Sequence, residues 1–116
     1  MSEASCIFCN IAERKVRAEI VAESDGLLAF KDINPQAPIH LLIIPTEHIR
    51  TLVDVSEAQT VLLTRAIQFA NRLAKELQLA EEGYRVVINC GPQAGQSVWH
   101  LHLHLLGGRP FKWPPG

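Results

Sequence analysis

Apolar and polar positions change their period twice along the chain, and each change marks a different kind of element. Ala18 to Ala22 and Leu27 to Phe30 flank Glu23-Ser24-Asp25-Gly26 and predict a β-hairpin, since Asp-Gly supplies the positive φ of a tight turn. Leu41 to Ile44, closed by Pro45, is a continuous apolar run suited to a central strand. Ser56-Glu57-Ala58-Gln59 then has the form of a capping box. Leu62, Ala66, Phe69, Ala70, Leu73 and Leu77 follow at helical spacing until Gly83. Arg85 to Asn89 and Val98 to Leu106 read as two further strands, joined by Cys90-Gly91-Pro92-Gln93-Ala94-Gly95-Gln96-Ser97. Strands, one long helix and a closing hairpin, in that order, predict an α+β fold in which a helix covers an antiparallel sheet.

Composition narrows the class without naming a chemistry. With 116 residues and no repeat or linker, residues 1–116 are expected to form one domain with one core. A net charge of -1 gives no reason to expect nonspecific nucleic-acid or membrane binding. The longest apolar runs fall far short of the roughly 20 residues that span a bilayer. Met1-Ser2-Glu3-Ala4-Ser5 has neither the basic start nor the apolar stretch of a signal peptide. Three cysteines, an odd number, argue against a disulfide framework and for a reducing, cytoplasmic setting.

The chemistry is concentrated in Trp99-His100-Leu101-His102-Leu103-His104-Leu105-Leu106. In an extended strand, residues two apart point the same way, so His100, His102 and His104 share one face and Leu101, Leu103 and Leu105 the other. A helix would rotate them by about 200° per step of two. Interleaved leucines and the following Gly107-Gly108-Arg109-Pro110 are unlike an expression tag. Clustered imidazoles are typical of metal sites and of acid, base or nucleophile chemistry near neutral pH.

His100-Leu101-His102-Leu103-His104-Leu105-Leu106 fits the His-φ-His-φ-His-φ-φ signature of the histidine triad (HIT) superfamily. Gly95-Gln96-Ser97-Val98, Gly107-Gly108-Arg109 and the ending Trp113-Pro114-Pro115-Gly116 resemble the Hint branch of nucleoside phosphoramidases. The resemblance runs from Ile7-Phe8 through the segment Asp32 to His40 to the last residue. It implies an antiparallel sheet with one long helix and a short N-terminal helix, continued across a homodimer. It also implies hydrolysis of the P–N bond of a purine nucleoside 5′-phosphoramidate, releasing an AMP-like product without an organic cofactor. His102 would be the nucleophile, His104 would contact the phosphate, His40 would support both, and Ser97 would sit beside the leaving group. Gly95, Gln96, Ser97 and Asn89 would lie near the phosphate, with Asp32 and Ile33 at the ribose and base.

Elementary chemistry agrees with such a site. A neutral imidazole is a good nucleophile toward phosphorus, and a transient phosphohistidine bond splits one hard displacement into two easier ones. Its far nitrogen must meet an acceptor so that the attacking nitrogen keeps its lone pair. Neighbouring donors then stabilise charge building on the phosphoryl oxygens. The glycine-containing loop before the triad lets backbone N–H groups approach an anion. Lys31-Asp32-Ile33-Asn34-Pro35 also reads as a plain turn in which Asp and Asn satisfy their own backbone.

Cys6-Ile7-Phe8-Cys9 is a separate signal, compatible with zinc, redox chemistry or two packed thiols. A structural zinc site takes four ligands, commonly two Cys and two His. By resemblance to bacterial Hint-like proteins with this motif, Cys6, Cys9, His48 and His100 would hold a structural zinc. Two other functions use the same motifs: dinucleoside polyphosphate hydrolysis, as in the Fhit branch, and nucleotide binding without turnover by a zinc-stabilised adaptor. The tail from Arg109 to Gly116 carries two large aromatics that a solvated end would not need. By resemblance it would lie near the partner's active site.

Overall fold

A computed structural model of the chain describes residues 3–116; Met1 and Ser2, at the start of the segment read above for a leader pattern, lie outside the described residues. Five strands, β1 (Ile20–Ser24), β2 (Leu27–Lys31), β3 (Ile39–Pro45), β4 (Tyr84–Val87) and β5 (Leu103–Gly107), form one antiparallel sheet in the order β1-β2-β3-β5-β4. Two helices flank it, α1 (Ile7–Ala12) and α2 (Thr60–Glu76). The expected α+β architecture, with its short N-terminal helix, is the observed one. No helix among the described residues is long and apolar enough to cross a membrane.

Strand alternation divides the core by parity. Leu27, Ala29, Leu41, Ile43, Leu103 and Leu105 meet Ala66, Phe69, Ala70, Leu73 and Ala74 of α2. Leu28, Phe30, Leu42 and Ile44 point the other way and meet Phe8 and Ile11 of α1. Burying a large apolar side chain stabilises by about 1.5–3 kcal/mol, so the α2 face, which buries the larger group of apolar side chains, holds most of the fold. The α1 face is the one that carries the histidines.

Element ends moved where a partner decided them. The first hairpin pairs Glu23 with Leu28 and Ser24 with Leu27, so β1 runs to Ser24 rather than stopping at Ala22. Only Asp25-Gly26 remain in the turn, and the positive φ falls on Gly26, at 78°. The main helix was expected to run toward Gly83, but it ends at Glu76. Gln78 takes the left-handed conformation at φ 62°, donating to the Lys75 carbonyl at 3.1 Å while Leu79 N–H reaches Ala74 O at 2.8 Å. These two bonds close a Schellman motif with a non-glycine residue at its turning point. At the helix start, Ser56 N–H donates to Gln59 Oε1 at 2.9 Å, as the capping box predicts, although the first turn is a 3-10 turn over Glu57–Gln59.

The triad strand is the largest correction. Pairing starts at Leu103 rather than Val98, and His100 and His102 lie ahead of the ladder. Continued two residues beyond Ile43↔Leu103, the register would oppose Pro45 to Leu101, and Pro45 has no N–H to give. Leu101 N–H instead donates to Ile49 O at 2.7 Å. The other closing strand shortens likewise, to Tyr84–Val87, which leaves Asn89 beyond its end.

Candidate functional site

The sheet register builds a row of rings. His104 of β5 lies opposite Leu42 of β3, and His40 opposite Leu106, so His40 and His104 are diagonal neighbours on the α1 face. Their ring centroids are 5.2 Å apart, and His102 lies 5.0 Å from His104. Phe8 of α1 packs edge-on against His102 at 5.1 Å and His100 at 5.9 Å. His48, from the segment after β3, stands 5.0 Å from His100. Alternation therefore holds through His100 and His102 although the ladder does not.

Hydrogen-bond partners fix which nitrogen of each ring carries the proton. His102 Nδ1 lies 2.7 Å from the His100 carbonyl, which only accepts, so Nδ1 carries the hydrogen and Nε2 keeps its lone pair. Gln36 N–H donates to His40 Nδ1 at 3.0 Å, which puts the His40 proton on Nε2. That nitrogen lies 2.9 Å from His104 Nδ1. His104 Nδ1 must then accept, and its proton sits on Nε2. Neighbouring histidines thus present Nε2 in opposite tautomers, a bare nitrogen on His102 and an N–H on His104.

Electrostatics keeps these rings neutral. Burial pushes His104 down to about 4, helped by His102 and His40 and opposed by Asp32. Burial also lowers His102, against the pull of the His100 carbonyl and of Asp32. His40 is lowered by burial and partly restored by Asp32, whose Oδ2 is 3.4 Å from His40 Nε2. The other carboxylate oxygen of Asp32 accepts from Asn34 N–H at 2.8 Å, so the turn reading of this residue holds beside its place at the histidines.

Beside His40 and His104 lies a cleft of about 220 Å³, bordered also by Asn89, Gln36, Arg85 and the tail residues Phe111 and Pro115. Arg85 and Arg109 sit on Phe111, 5.1 and 4.3 Å from its centroid, and Arg109 Nε donates to Gln36 O at 2.9 Å. The tail therefore borders the cleft of its own chain. Ile33 is 99% exposed beside Asp32, an apolar side chain with nothing on it. Ser97 is exposed too, but borders a different concavity with Cys6, His48 and Trp99. Gln96 is buried and fully engaged: its Oε1 accepts from Gly91 N–H, and its Nε2 donates to Arg50 O and Val98 O. The N–H groups of Gly95 and Gln96 bond to Pro92 O and Gly91 O. A phosphate contact from either N–H would require the loop to give up its own bonds.

At the other end of the row, Cys6, Cys9, His48 and His100 converge, with one ligand atom from each within 4.8 Å of the others. Cys6 Sγ and Cys9 Sγ lie 3.3 and 3.5 Å from His100 Nδ1; Cys9 Sγ is 3.3 Å and His100 Nδ1 3.2 Å from His48 Nδ1. Tetrahedral zinc, with bonds of about 2.0–2.3 Å, requires ligand edges of about 3.3–3.8 Å. The donor set fits. His100 Nε2 donates to Pro45 O at 2.8 Å, which leaves the Nδ1 lone pair aimed at the thiols, the outer-sphere arrangement of a histidine ligand. Burial pushes His100 down to about 4 and raises Cys9, so only a cation between them would favour the thiolate. All three cysteines are free thiols.

Sequence reasoning passed over Phe8, the Gln36 N–H and the Pro45 carbonyl. Phe8 had one signal, its place inside Cys6-x-x-Cys9. The two backbone groups had none.

A sheet with alternate histidines and a covering helix defines the class of histidine-triad nucleotide hydrolases, and comparison with known proteins agrees. The chain belongs to the HIT domain family, whose model matches residues 13–111. It is 46% identical to the purine nucleoside phosphoramidase of Escherichia coli over 105 residues, 90% of this chain and 88% of that protein. It is 44% identical to adenylylsulfatase HINT1 of Arabidopsis thaliana, over 99% of this chain and 79% of the relative. A 14 kDa zinc-binding protein of Zea mays is 44% identical, over 100% of this chain and 91% of the maize protein. The crystal structure of a HIT family hydrolase from Legionella pneumophila is similar with a TM-score of 0.94 at 50% identity, covering 97% of this chain and all of the other.

Proposed function

We propose that the chain hydrolyses the P–N bond of purine nucleoside 5′-phosphoramidates through a nucleotidyl-His102 intermediate. The observation that carries this reading is the pair of opposite tautomers, a bare Nε2 on His102 beside an N–H on His104. Nε2 of His102 attacks phosphorus. Charge building on the phosphoryl oxygens is met by His104 Nε2–H, a donor set in advance by Gln36 and His40. The P–N bond breaks, and the amine departs with a proton taken from solvent, which the water of the second step gives back; Ser97, on the neighbouring concavity, is not needed for that transfer. Water then cleaves the P–N bond to His102, releasing the nucleoside monophosphate and restoring the neutral ring. Asp32 and Ile33 take the ribose and base, and Asn89 the phosphate.

Cys6, Cys9, His48 and His100 would hold one zinc ion. When bound, it supplies a closed four-ligand clamp with no open position for water, so its role is structural. Residues 1–116 act as one domain, as a homodimer, in the reducing cytoplasm that keeps the thiols free. Turnover of adenosine 5′-phosphoramidate, diadenosine polyphosphate and adenylyl sulfate on one preparation tests the substrate class. Fastest cleavage of the phosphoramidate is expected. Preference for the polyphosphate would move the chain to the second branch, and no turnover of any of the three would leave the adaptor reading.

A further inference from the structure

We infer that the Cys6/Cys9/His48/His100 cluster sets the reactive geometry of His102 through two links, the His100 carbonyl and the ring of Phe8. The inference rests on the proposed role of His102 and adds Phe8 to it as a positioning residue.

The first link runs along the chain. His100 is 0% exposed and held at both ring nitrogens, Nδ1 against the thiols and His48, Nε2 on Pro45 O. With its ring pinned, its backbone has little freedom, and its carbonyl is the acceptor that fixes the His102 tautomer at 2.7 Å.

The second link runs through α1. Six residues cannot sustain a helix alone. Cys6 caps this one, accepting from Cys9 N–H at 3.3 Å, and both cysteines reach the cluster. Between them Phe8 stands 88° to the His102 ring and packs against Phe30 at 5.5 Å. That wedge opposes rotation of the imidazole. A ring turned over would take Nδ1–H off the carbonyl and Nε2 off the line of attack, and small misplacements of a reacting group are costly.

Both links are tested on the full chain, zinc-loaded or stripped by a chelator. Steady-state kcat and KM on adenosine 5′-phosphoramidate are measured alongside ¹⁵N–¹H spectra that report the His102 tautomer. Zinc-loaded Phe8→Leu is expected to lose between about ten- and a hundredfold in kcat with KM within about twofold. Its His102 nitrogen signals should move toward a tautomer mixture, and zinc removal from the parent chain should move the same signals. Ile11→Val, in the same apolar group, is expected to lower the melting temperature and leave kcat and the spectrum alone. Unchanged kcat and spectrum in Phe8→Leu would overturn the inference, as would an equal shift in Ile11→Val. If Phe8→Leu does not fold, Phe8→Met carries the same comparison. A parent chain without turnover would defeat the proposed reaction, while the spectra still decide whether cluster and Phe8 hold His102.

Discussion

His100 and His104 stand four residues apart on one segment, face the same side of one sheet, and end in opposite environments. His100 is enclosed by two thiols, a second imidazole and a carbonyl, and every polar atom of its ring is engaged. His104 borders an open cleft with an N–H to offer, and its neighbours are an imidazole and a carboxylate. The same residue type at the same spacing is a ligand at one end and a hydrogen-bond donor at the other. What differs is the neighbouring chain: α1 and the segment after β3 close the first end, while only a turn and the tail reach the second. Alternation sets the face; the partners set the role.

The largest expected effect falls between the two ends. His102→Ala should lower turnover by at least about a thousandfold, roughly 4 kcal/mol, with melting little changed. Intact-mass spectra after rapid quench should show a nucleotidyl adduct on the parent chain and none on the variant. Turnover within tenfold of the parent would sink the nucleophile assignment.

His104→Ala comes next. Removing one preorganised donor costs about 10²–10³ in kcat elsewhere, and that range is expected here with melting nearly unchanged. The opposite end should show the reverse. Cys6→Ser with Cys9→Ser should lower stability by about 3 kcal/mol or more, on the order of 10 °C in melting temperature. Turnover should fall through Phe8 and His100 but survive. The comparison breaks if calorimetry and rate assays give both variants the same profile. Elemental analysis of untagged protein should find about one zinc per chain.

How much of this was legible follows the same division between local and partnered features. The period-two histidines fixed their shared face, and Ser56 to Gln59 marked the start of α2, because strand geometry and capping depend on residues a few positions apart. The ends of elements were less legible. Pro45 sits on β3, far in sequence from the triad strand whose pairing it cuts short, and Gln78 turns the chain where glycine is the usual residue. The zinc ligand set came from resemblance, since no spacing rule brings Cys6 to His100. Least legible were the tautomers, because their partners are main-chain groups of Gln36, Pro45 and His100, which do not depend on the side chain at those positions.

The smallest expected effect separates the ends by pH. His40 and His104 are held below the ordinary histidine value, His104 at about 4, so the folded chain keeps them neutral where the unfolded chain protonates. Between about 6.5 and 4 the unfolded state therefore binds more protons, and stability must fall as pH falls. Above about 6.5 both states are neutral and nothing is lost; below about 4 both are protonated at His104 and its loss stops. Over that window His104 should account for on the order of 1–3 kcal/mol. Acid also protonates the cysteine and histidine cluster, which would weaken zinc binding over the same range. Urea unfolding of the parent chain and His104→Gln at pH 7, 6, 5 and 4 removes this overlap, because the cluster is common to both. The parent should lose stability more steeply than the variant below pH 6.5. Parallel curves would mean that His104 already carries its proton in the fold, and the donor role argued from its neutral tautomer would fall with it.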